Sequence, residues 1–113
     1  MAAALGILLS ASVASASSSY VTGTVWKQST ENEKLAYTMG IANTVNAEHE
    51  VQAASANPPN DKQSAVPEMY AALKGATLEG MVDAVDAYFA AHPDKTGDTV
   101  LDVLWLIYVE KKQ

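Results

Sequence analysis

Histidine, carboxylate and serine side chains are the raw material of a catalytic or metal site, and in this chain their spacing does not bring them together. Only two histidines occur, His49 and His92. Glu48-His49-Glu50 offers metal-ligand atoms, but neighbouring residues on a helix point in different directions and no second cluster completes a coordination sphere. The triplet reads as a solvated helix end. His92 stands directly before Pro93, where an imidazolium complements the carbonyl end of a helix. The run Asp94-Lys95-Thr96-Gly97-Asp98 has the outline of a calcium loop, yet it lacks the alternating acidic ligands and the closing glutamate. It reads as a capped turn between helices. Asp83 and Asp86 stand three apart, a spacing that would pair carboxylates for acid–base work, but no third group accompanies them. They read as a solvated acidic face. The serines have neither a nucleophile elbow nor a histidine partner. Trp26 and Trp105 read as core residues. With no cysteine there is no thiol nucleophile, no thiolate metal site and no disulfide. The chemistry points away from an enzyme, and no metal or cofactor is expected.

The elements that must position these residues are helical. Thr30 followed by Glu33 forms a capping box, and Leu35, Met39, Ala42 and Val45 then recur at helical spacing, widened by Ile41. The pattern predicts a long helix over residues 31–53. Gly40 within it costs about 1 kcal/mol relative to alanine, through either a close helix approach or simple tolerance. Ahead of it, Thr22-Gly23-Thr24 marks a helix start, and Val25-Trp26 gives one short amphipathic turn. Residues 55–68, with two consecutive prolines and Asn57, Asn60 and Asp61, read as a turn-rich loop. Pro67 opens a short turn carrying Met69, Tyr70 and Leu73. A third helix follows Thr77, its N-cap, with Leu78, Met81, Val82, Val85, Tyr88 and Phe89 along one face. The fourth opens at residues 96–98 and carries Val100, Leu101, Leu104, Trp105 and Tyr108 on its core face, closed by Lys111 and Lys112. So few residues separate these two helices that they must fold back as a tight helical hairpin. No alternating strand pattern survives. The expected fold is all-α, a small bundle of about four helices.

The chain of 113 residues, 49% hydrophobic, suits one domain with a core of its own. A net charge of −6 and the absence of arginine exclude a nucleic-acid footprint. The start is uncharged until Lys27, and its apolar stretch from Ala2 to Val13 is too short to span a bilayer. Followed by Ala14-Ser15-Ala16, it fits a signal peptide over residues 1–16, with a single helical domain over 17–113. No basic n-region precedes it, so either the leader is weak or Met1 lies within a longer one. A buried N-terminal helix is the competing reading. Export implies a periplasmic protein with no stable membrane association once the leader is removed.

Three stretches taken together resemble a known family. They are "YVTGTVWKQSTENEKLAYTMGIANTV", "ATLEGMVDAVDAYFAAHP" and "TVLDVLWLIYVEK". In this order they look like the Rap/Tai-type immunity proteins, the periplasmic antidotes to type VI secretion amidase toxins. Tyr20, Thr22 and Gly23 match that family's opening motif, and Met39-Gly40-Ile41-Ala42 follows its second element loosely. Thr77, Met81, Val82, Asp83, Val85, Tyr88, Phe89, His92 and Pro93 match the third. Family members carry cysteines where this chain has none, and residues 57–67 follow no family pattern.

The resemblance implies an all-helical, non-catalytic and often homodimeric protein. Its partner would be a cognate amidase effector, whose active-site groove receives loop and helix-end residues. The exposed segments suited to that role carry Asn57, Asn60 and Asp61 in one loop, and His92, Asp94, Lys95 and Asp98 in the interhelix turn. An acidic surface would be steered to a basic toxin. The alternative is a small periplasmic stress or acid-resistance protein of chaperone-like, helical type.

Overall fold

The computed structural model describes residues 19–112, so the expected leader at residues 1–16 lies outside the described residues. Among those described, five α-helices follow one another: α1 (Gly23–Gln28), α2 (Glu31–Ala53), α3 (Val66–Leu73), α4 (Leu78–Ala91) and α5 (Val100–Leu104). A 3-10 turn, Pro93–Lys95, separates the last two, and α5 runs directly into a π-helical segment, Trp105–Val109. The fold is an all-α bundle.

Threonine starts four of the five helices. Thr22, Thr30, Thr77 and Thr99 each have extended backbone and accept a hydrogen bond from an amide three residues on. At α2 the box is reciprocal: Glu33 N donates to Thr30 Oγ1 at 3.2 Å and Thr30 N to Glu33 Oε2 at 2.9 Å. α2 keeps the bounds its capping box and periodicity predict. Two other expectations shift. The turn expected at Pro67 is a full helix, α3, started by proline in its first turn rather than by a side-chain cap. The last helix begins at Thr99, not at residues 96–98, because the Thr99 hydroxyl is the oxygen that reaches an open amide, Asp102 N, at 3.1 Å.

α4 lies at the centre and buries Met81, Val82, Val85, Tyr88 and Phe89. Trp26 from α1, Met69 from α3, and Val100, Val103 and Leu104 from α5 close around it. Leu104 is buried as expected, but Leu101 and Trp105 are only half-buried. α2 rests on α3 and α4, which leaves the α2-facing side of Leu101 open. Trp105 begins the π-helical segment, whose wider turn spreads five consecutive apolar residues around the helix without fully burying any. On α2, Met39 is 48% exposed and Thr38 is buried in its place. The Thr38 hydroxyl is satisfied within the helix, donating to Lys34 O and Leu35 O.

The N-terminal segment is stitched to the hairpin turn. Val100 N donates to Val21 O at 2.8 Å, Gly23 N to Asp98 O at 3.0 Å and Thr24 N to Thr96 O at 3.0 Å, around an isolated antiparallel bridge between Thr22 and Thr99. Gly23 also lets α1 lie directly on α4, since a Cβ there would overlap the Phe89 ring.

Candidate functional site

The interhelix turn takes its shape from the end of α4. His92 caps that helix, its amide donating to Tyr88 O at 2.9 Å and its ring resting on the Tyr88 ring at 4.6 Å. Pro93 cannot continue the helix, and Pro93–Lys95 forms one 3-10 turn with Asp94 and Lys95 exposed. Asp98 is half-buried and accepts from the Tyr88 hydroxyl at 3.1 Å. Its side chain is therefore committed to α4 and does not cap α5. Burial of Tyr88, helped by the Asp98 hydrogen bond and the Asp98 and Asp94 charges, raises the phenol pKa above its ordinary value. Beside the turn, Lys95, Asp98, Asp102, Trp105 and Glu110 border a recess of about 340 Å³. Three carboxylates against one ammonium and an indole favour a cationic visitor over an anionic one.

The second group of predicted residues sits elsewhere. Asn60 organises its own loop: its Oδ1 accepts from Lys62 N at 3.0 Å, its carbonyl from Gln63 N at 2.9 Å, and its amide donates to Gln63 Oε1 at 3.1 Å. Asn57 and Asp61 are exposed. The loop is tied to α2 where Gln52 Nε2 donates to Ser64 Oγ at 3.1 Å. Lys34 touches Asp86, while Ala42 and Asn46 share a hollow with Leu78 and Met81, so α2 and α4 run antiparallel. From Lys34, α2 runs on to Ala53, roughly 28 Å at 1.5 Å per residue, away from the α4 C-terminus. The loop with Asn57, Asn60 and Asp61 and the turn with His92, Asp94, Lys95 and Asp98 thus lie toward opposite ends of that helix pair.

Two residues read as solvent-facing prove to hold the bundle together. Asp83 is exposed, but Asp86 Oδ1 accepts from Trp26 Nε1 at 2.7 Å and from Lys34 Nζ at 2.9 Å. The Lys34 ammonium also lies 5.4 Å from the Trp26 ring centroid, and Tyr37 meets that ring edge-on at 6.3 Å. Asp86 is thereby a clasp joining α1, α2 and α4. His49 stacks on Tyr70 with ring centroids 3.6 Å apart and planes 3° from parallel, pinning α3 to α2. Neither contact had a sequence signal, because the partners come from other helices. Among the described residues, no group of three or more His, Cys, Asp or Glu side chains could hold a metal ion. No family model, curated protein or solved structure matches the chain.

Proposed function

We propose that the protein is an exported, non-catalytic binding protein of the periplasmic immunity type, which neutralises a peptidoglycan amidase by masking its active-site groove. The observation that carries this reading is the way the acidic turn is presented. Backbone bonds from residues 21–24 to residues 96–100 hold its base, while Asp94 and Lys95 stay exposed at its tip. A recognition turn held rigid before binding loses little entropy on docking. The net charge of −6 steers it toward a basic partner, and such steering weakens with salt. The resemblance carried by Thr22, Gly23, Thr77, Tyr88, His92 and Pro93 supports the same reading, and a homodimer belongs to it.

Asp94 is the residue with which to test it, because its side chain is exposed whereas that of Asp98 is bonded to Tyr88. Calorimetric titration of an amidase encoded beside the gene should give tight binding to the wild type and about tenfold or greater weakening for Asp94→Lys. No binding by the wild type removes the amidase reading. Binding that Asp94→Lys leaves unchanged moves the contact to the loop of Asn57, Asn60 and Asp61. N-terminal sequencing of protein from the native host should begin near Ser17, and an intact Met1 would remove export.

A further inference from the structure

We propose that the cleft between α2 and α5 is a docking groove for a basic amphipathic helix of a protein partner. Two apolar compartments of about 480 and 290 Å³ share Val45 and Leu101 as a common wall. Exposed Ala36, Gly40 and Thr44 and half-buried Tyr37 and Ile41 line the first, and Met69 and Trp105 wall the second. A Cβ at Gly40 would meet nothing within 4 Å, so the groove is open there to a second backbone. Farther along the same side of α2, Val51 is 66% exposed. From Ala36 to Val51 this open side runs for roughly four helical turns. That length suits a helix presenting apolar anchors at i, i+3 or i+4, and i+7.

Charge selects the occupant. Glu33 lies one turn before Ala36 and Glu48 one turn after Thr44, so glutamates flank the two apolar compartments along α2, and the open side beyond Glu48 continues to Val51. Asp102 lines the α5 side. The one lysine of α2, Lys34, is held on Asp86. A second copy laid antiparallel along α2 would set its Glu31 and Glu33 against Glu48 and Glu50, and a parallel copy would oppose each glutamate with its like. Both arrangements repel, as would an anionic lipid surface. A helix flanked by lysine or arginine meets the apolar floor and the acidic rim together. The groove adjoins the recess beside the turn through Asp102 and Trp105, but the inference does not rest on the partner being an amidase.

The probe is a fluorescein-labelled peptide of leucine and lysine, about four helical turns long, patterned to place the leucines on one face. Its control carries glutamate in place of lysine. Fluorescence anisotropy with the full-length chain should show saturable binding of the lysine peptide only. Gly40→Trp sets an indole into the groove from a position whose Cβ meets nothing within 4 Å, and its retained helicity is checked by circular dichroism. Binding should weaken about tenfold or more in Gly40→Trp, and likewise in the double variant Glu48→Lys with Asp102→Lys. Absent or unsaturable binding, equal binding of the glutamate peptide, or indifference to Gly40→Trp overturns the proposal. So does a wild-type dimer in sedimentation equilibrium that Gly40→Trp dissociates, which makes a second copy the occupant. Binding to phosphatidylcholine vesicles that is lost in Gly40→Trp assigns the groove to lipid and overturns it too.

Discussion

Asp86 shows how one carboxylate changes meaning once its neighbours are known. Along α4 it stands three residues from Asp83, and both would face water on a helical wheel. Its Oδ1 instead serves Trp26 and Lys34, so removing it strands an indole N–H and a lysine that is only 14% exposed. Asp86→Ala should lower unfolding stability by about 1–3 kcal/mol, the range for leaving buried partners unpaired, and toward the lower end because Asp86 itself is 40% exposed. Asp86→Asn keeps an acceptor for the indole and should lose less. Asp83→Ala should change stability by no more than about 0.5 kcal/mol. Urea denaturation of the three variants separates these outcomes. Tyr88 belongs to the same scale. Its phenol pKa is raised in the folded protein by burial and by Asp98, as those of Tyr37 and Tyr108 are by burial. The folded state therefore holds phenolic protons that the unfolded state releases from about pH 10 upward. The stability linked to them is complete below that pH and is lost as pH rises through the folded values, by about 1.4 kcal/mol per pH unit per phenol. Denaturation midpoints measured from pH 8 to 11 should fall above pH 10, and Tyr88→Phe should flatten that fall.

At the scale of elements, two helical glycines behave oppositely. Gly23 lies where α1 crosses α4, and any side chain there enters the Phe89 ring. Gly23→Ala should destabilise by about 1–3 kcal/mol, as overpacking does. Gly40 has only open space around it, so Gly40→Ala adds helix propensity at no steric penalty and should stabilise by about 0.5–1 kcal/mol. Thermal melts of the pair would show shifts of opposite sign. The two readings of Gly40 open at the sequence level, close approach or tolerance, resolve within this chain to tolerance, with its open face turned to the proposed groove. Helix α5 divides in the same way. Leu104→Ala should cost about 2–5 kcal/mol, whereas Leu101→Ala, on a half-buried residue, should cost less than half as much.

For the whole molecule, the N-terminal segment and the hairpin turn form one structural unit. Read along the chain, the turn from His92 to Asp98 has no apolar side chain and looks free of the core. In space its carbonyls at Thr96 and Asp98 receive the amides of Thr24 and Gly23. Deleting residues through Thr24 should therefore loosen the turn, visible as faster amide hydrogen exchange at Val100. Equal exchange in the truncated and intact chains would show that the turn holds itself.

Local rules were enough for helix type and for the starts at Thr22, Thr30 and Thr77, because capping threonines, the Thr30–Glu33 box and the apolar face of α4 act within three or four residues; they misplaced the starts of α3 and α5. They were also enough to mark the turn and the loop as exposed polar segments. They did not reach the Asp86 clasp, the His49–Tyr70 stack or the stitch between residues 21–24 and 96–100. Each joins positions some 20 to 80 residues apart, and nothing in a helical period encodes which solvent-facing carboxylate meets which indole. The separation of the two candidate surfaces is of the same kind. It follows from the antiparallel packing of α2 on α4, which is decided only when the helices bury their apolar faces against one another.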